Sequence, residues 1–66
     1  MSKKATKTVY IGERYDGWYA YFEGQNPEQG ECICEGLYNR QRTVSRVRSD
    51  LEELGQPFEI KDAPWC

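Results

Sequence analysis

Cys32, Cys34 and the terminal Cys66 are the residues of this 66-residue chain best suited to covalent or metal chemistry. A thiol or hydroxyl nucleophile needs an adjacent base, and the sequence contains no histidine to form a Cys-His or Ser-His pair. A structural zinc site takes four ligands, which a Cys-x-Cys and one distant cysteine do not supply. Two apart on a strand, Cys32 and Cys34 point to the same side with Cα atoms about 6.5–7 Å apart, at or beyond the reach of an unstrained disulfide. Small free thiols in a reducing cytoplasm are therefore expected, with Cys66 open to crosslinking between chains. Carboxylates are plentiful but scattered through turns and strand edges, and nothing marks a desolvated acid–base pair. No glycine-rich phosphate loop or dinucleotide fingerprint is present. These residue types point away from an enzyme, a metal or a cofactor and toward a binding surface.

The residues best suited to binding lie in "YIGERYDGWYAYFEG", residues 10–24, which holds four of the five tyrosines and one of the two tryptophans. Asp16-Gly17 predicts a two-residue type I′ hairpin turn, because both central positions of that turn need φ > 0. The register that follows sets Tyr15 opposite Trp18, Arg14 opposite Tyr19, Gly12 opposite Tyr21 and Ile11 opposite Phe22. Alternation then sends Val9, Ile11, Tyr15, Trp18, Ala20 and Phe22 to one face, interrupted by Glu13. Tyr10, Gly12, Arg14, Tyr19 and Tyr21 go to the other.

The elements that position these side chains follow along the chain. Residues 24–30 (GQNPEQG) have loop composition. Residues 31–38 (ECICEGLY) suit a third strand, with either Ile33 or the two cysteines inward; the cysteines are preferred, since Ile33 shares its parity with Glu31 and Glu35. Gly36 marks a bulge or the strand's end. Val44, Val47, Leu51 and Leu54 make one apolar stripe and predict a helix over 40–54, N-capped by Asn39 or Thr43 and stopped by Gly55. Phe58 and Ile60 alternate with Glu59 and Lys61 in a short fourth strand, and Trp65 is expected to pack back on the body. The fold class is thus α+β in the order β-β-β-α-β: an antiparallel sheet of three to four strands with one helix on one face. That helix is expected to cover the Val9/Ile11/Ala20/Phe22 face and leave the tyrosine face open.

Residues 1–7 (MSKKATK) read as a disordered basic tail, and residues 8–66 as a single small domain. A domain this size buries only about 60% of its unfolded surface, which leaves little room for a deep catalytic cleft. No apolar run approaches the ~20 residues of a membrane span, and the N-terminus lacks a signal-peptide apolar region. The formal net charge is −2, but residues 8–66 carry six basic and eleven acidic side chains, a net of −5. Residues 13–35 hold six acids against Arg14 alone. Such a body fits a protein partner with a basic surface better than nucleic acid, whose phosphates require clustered Lys and Arg. Tyr10, Arg14, Tyr19 and Tyr21 are the candidate protein-binding residues, since Tyr and Arg are enriched at binding hot spots. Glu23, Glu28, Glu31 and Glu35 are expected to steer the approach. On the helix, the arginines precede the acids, against the macrodipole, and the Arg46–Asp50 and Arg48–Glu52 pairs offset part of that cost. Arg42, Arg46 and Ser49 share its solvent side and form a candidate secondary surface.

The stretch "TVYIGERYDGWYAYFEGQNPEQGECICEG", followed by the helix 40–54, resembles the N-terminal domain of the HicB antitoxin family. The resemblance covers residues 8–54 and implies a degenerate RNase-H-like module that binds and neutralises a small RNA-cleaving toxin. The chain departs from the family at Asn26-Pro27-Glu28, where the family has Leu-Pro-Gly-Cys, and no functional residue is carried over. Three strands and a helix with rings and arginine on an open sheet face are also similar to the small DNA-binding domains that begin phage-type integrases. Size and charge match small inhibitors from phages and mobile elements that block nucleic-acid enzymes, CRISPR complexes included. The expectation is a cytoplasmic, non-enzymatic protein-binding inhibitor of a nucleic-acid-handling enzyme, with sheet-type DNA binding and a structural homodimer as alternatives.

Overall fold

Alternating apolar residues from Val9 to Phe22 build a hairpin of β1 (Lys7–Arg14) and β2 (Gly17–Phe22) in the computed structural model, which describes residues 5–64. The reversal falls on Tyr15 and Asp16, with Arg14 opposite Gly17 and Ile11 opposite Ala20. This corrects the expected register by two residues. No described residue other than glycine takes a positive φ, so a type I′ turn at Asp16-Gly17 does not form. Gly17 instead takes φ +132°, where a Cβ would stand 3.0 Å from the backbone of Gly36. Because strand side chains alternate with period two, an even slip leaves every paired residue on its expected face. Tyr15 is the exception: expected on the core face, it sits in the turn and is fully exposed.

The chain continues through a short 3-10 turn (Pro27–Gln29), then β3 (Cys34–Leu37), α1 (Arg40–Leu54) and β4 (Phe58–Asp62). Asn39 caps α1, its Oδ1 accepting the Arg42 N–H at 2.8 Å. Gly55, at φ +70°, closes the helix: its N–H donates to the Glu52 carbonyl, and Gln56 N–H to that of Leu51. The buried stripe is Thr43, Val47 and Leu51, flanked by half-buried Val44. Leu54, expected in the stripe, is 66% exposed. Thr43 takes the inner position because its hydroxyl donates to the Asn39 carbonyl at 2.9 Å and so enters the core satisfied. The Arg46–Asp50 pair forms at 3.3 Å, whereas Arg48 and Glu52 do not pair.

The strand order is β3-β2-β1-β4, and the sheet is mixed rather than antiparallel: β4 runs parallel to β1. The helix is the reason. Its 15 residues, about 22 Å long, carry the chain back to the end of the sheet where β3 began. The next strand must then run in the direction of β3, which is also that of β1. As expected, α1 packs on the face bearing Val9, Ile11 and Ala20, joined by Trp18, Phe22, Ile33, Cys34, Phe58 and Ile60 at the margin. β1 already includes Lys7, and the Ala5 carbonyl accepts from Gln56 Nε2 at 2.7 Å, so residues 5–7 belong to the body rather than to a tail. The remaining lysine-rich segment, Trp65 and Cys66 lie outside the described residues. Among the described residues no helix is long and apolar enough to cross a membrane.

Candidate protein-binding surface

The sheet face opposite the helix carries a column of stacked side chains. Tyr10 and Tyr21 are cross-strand partners with ring centroids 5.4 Å apart. Tyr21 and Tyr19, two apart on β2, stack at 5.8 Å with their planes 12° apart. Arg14 closes the column, its guanidinium carbon 4.5 Å from the Tyr19 centroid. Gly12, directly opposite Tyr19, leaves its ring room. Alternation alone brings these five residues together, as the sequence indicated.

The column is not open, which corrects the expected exposure. Tyr19 and Tyr21 are each 2% exposed and form a second buried cluster with Ala63, against which Tyr10 and Cys32 pack. Two elements bring these neighbours in. The chain runs on past the end of β4, where the Ala63 N–H donates to the Ile11 carbonyl at 2.9 Å. The β2–β3 connection is fastened around Asn26, whose Oδ1 accepts from Glu28 N–H and whose carbonyl accepts from Gln29 and Glu31 N–H. Glu31 Oε1 accepts the Asn26 N–H in return at 2.8 Å. Pro27 is buried beneath this knot. Asn26 followed by Pro27 is a helix-start signature, with a capping side chain before proline at the first helical position. It was legible in the sequence, and composition alone missed it.

Cys32 and Cys34 do not share a face, contrary to the expected strand. Residues 31–33 precede β3, and Cys32 joins the tyrosine cluster while Ile33 and Cys34 both reach the helix-side core. Burial pushes the Cys34 thiol up to about 11. The Cys32 thiol is also raised, by burial and by the Glu35 carboxylate that accepts its hydrogen bond, with Arg14 pulling the other way. Neither thiol is in a disulfide. Among the described residues no group of three or more Cys, Asp or Glu is arranged to hold a metal.

The acids of residues 13–35 are all exposed: Glu13, Asp16, Glu23, Glu28, Glu31 and Glu35. Glu28 and Glu35 stand beside the tyrosine cluster and Asp16 lies in the hairpin turn, while Glu13 alternates onto the helix side with Ile11 and Trp18. None of them forms an ion pair among the described residues, where the pairs are Arg40–Asp62, Arg46–Asp50 and Lys61–Glu59. Glu13 and Glu28 line one shallow groove with Arg14, Tyr15 and Tyr19. Arg14 Nη2 is buried in it without a hydrogen-bond partner, so the cation rests on the ring face. At that end of the sheet the exposed rings are Tyr15, in the hairpin turn, and Tyr38, 83% exposed just past β3. The pairing of Trp18 with Leu37 puts both at one edge. Across the molecule, Arg42, Arg46 and Ser49 are exposed on α1, with Arg46 held by Asp50. Comparison with known protein families, characterised proteins and solved structures finds no match to this chain.

Proposed function

We propose that this chain is a non-enzymatic protein-binding module that inhibits a nucleic-acid-handling enzyme by docking on its basic surface. One observation carries the proposal: all six acids of residues 13–35 are exposed and unpaired, while every ion pair among the described residues lies within residues 40–62. Unpaired like charges repel one another, and a domain this small has little stability to spare. Their concentration within residues 13–35, where Arg14 is the one basic side chain, matches a partner rich in Lys and Arg, which they would steer into contact. The exposed rings Tyr15 and Tyr38, with half-buried Tyr10, supply the anchors, while Tyr19 and Tyr21 act as scaffold. RNA-cleaving toxins, as the antitoxin resemblance implies, and enzymes of antiviral defence both belong to this partner class. The free thiols fit a cytoplasmic setting.

The test compares the wild-type chain with a variant bearing Gln at Glu23, Glu28, Glu31 and Glu35, each immobilised against lysate of the native cell. Gln keeps the Oε1 acceptor that Glu31 offers to Asn26. A protein retained by the wild type, released by salt and lost with the variant is expected, and its nuclease or nucleic-acid-binding activity should fall on stoichiometric addition of the free chain. No salt-sensitive capture, or a captured enzyme left fully active, overturns the proposal. So does retention of random duplex at low salt that disappears when Arg42 and Arg46 are neutralised, which would favour DNA binding.

A further inference from the structure

β4 ends the sheet with an edge that pairs with nothing among the described residues. An uncovered strand edge is a template for another strand. The hydrogen bonds at the two ends of the β1–β4 ladder define which groups this edge offers. Lys7 N–H donates to the Pro57 carbonyl, and Ala63 N–H to that of Ile11. In a parallel ladder this parity turns residues 57, 59, 61 and 63 toward β1. The backbone N–H and C=O of Phe58, Ile60 and Asp62 therefore face outward.

We propose that this edge joins a second copy of the chain, through antiparallel two-fold pairing of β4 centred on Ile60. In this register the outward groups of Ile60 meet those of Ile60 in the second copy, and the outward groups of Phe58 meet those of Asp62. No backbone group on the edge is then left over. Between them Glu59 stands opposite Lys61 of the second copy, twice over, with Cβ atoms about 4.5–5.5 Å apart. The neighbouring two-fold registers set Glu59 against Glu59 or Lys61 against Lys61, so charge selects the Ile60-centred one. Within one chain Glu59 and Lys61 approach only to 3.8 Å and are each more than half exposed, a weak contact that pairing would exchange for cross-strand ones. On the helix side Ile60, half-buried at the margin of the core, meets its own copy and loses water. The opposite edge is a poorer template: β3 is four residues long, includes Gly36 at φ +73°, and pairs irregularly with β2. The result is one continuous sheet with both helices on the same face and both acidic surfaces free, so the dimer is independent of the inhibitor reading.

Sedimentation equilibrium of the full chain under reducing conditions, up to millimolar concentration, tests this. The wild type should move from one to twice the chain mass as concentration rises. Glu59→Lys and Lys61→Glu should each stay at one chain mass, because each then sets like charges against each other across the two-fold axis. Mixing the two variants should restore a dimer, because the two lysines of one then face the two glutamates of the other. Far-UV circular dichroism confirms folding of each variant. Without any substitution, exchange of the Ile60 amide proton should slow with concentration. A wild type that stays at one chain mass, an Ile60 amide indifferent to concentration, or folded variants that dimerise alone or fail to pair on mixing would each overturn the proposal.

Discussion

Gly12 stands directly opposite Tyr19. That pairing, two residues away from the one a turn at Asp16-Gly17 would impose, places the Tyr19 ring over a position with no side chain. Tyr21 stacks on one side of it and Arg14 on the other. The column is thus part of the protein's interior, and the second face of the sheet contributes to stability as well as to any contact.

Truncating the column should destabilise the protein itself. Tyr19→Ala and Tyr21→Ala each remove a ring that is 2% exposed. By analogy with buried aromatic truncations, each is expected to cost about 3–5 kcal/mol, a large share of what so small a domain has. Tyr15→Ala and Tyr38→Ala remove exposed rings and should change stability by no more than about 0.5 kcal/mol. Urea unfolding followed by far-UV circular dichroism separates the two pairs. Equal, small effects from all four would mean that the second cluster is not a core.

Gly17 joins two strands as well as a turn. At φ +132° an alanine is strained, and its Cβ would stand 3.0 Å from the backbone carbons of Gly36, which have no flexible end to move. Gly17→Ala should cost about 1–3 kcal/mol and perturb the β2–β3 pairing, seen as faster amide exchange along β3. Asp16→Ala, in the turn itself, should be far milder. The reverse order would place the strain in the turn.

The Cys34 thiol should make stability fall at alkaline pH. Burial raises it from 9.0 to about 11. Above pH 9 the unfolded chain gives up this proton while the folded chain retains it, so the unfolded state binds fewer protons and stability declines with rising pH. The contribution is complete below pH 9 and lost by about pH 11. Cys34→Ala should show a shallower decline across that window in urea titrations. The difference between the two chains is the measurement, since it isolates Cys34 from every other group that titrates in the same window. Identical declines would exclude Cys34 as the source.

The order of elements, the helix with its Asn39 and Gly55 ends, and the division of β1 and β2 into an aliphatic and a tyrosine face were all legible in the residues themselves. They rest on period-two alternation, on an apolar stripe and on local capping, which depend only on near neighbours in the chain. Alternation even survived a wrong turn, because the misjudged register differed by an even number of residues. What the sequence did not reveal involves partners distant along the chain. The parallel course of β4 depends on its pairing with β1, at the other end of the chain. The burial of Tyr19 and Tyr21 depends on where the residue 23–33 connection and Ala63 come to rest, and neither is encoded near residue 20. Cys32 and Cys34 part because the chain enters β3 late, after Asn26 has fastened the loop. Local periodicity places the paired side chains of β1 and β2 on their faces; only the assembled molecule decides which faces water still reaches.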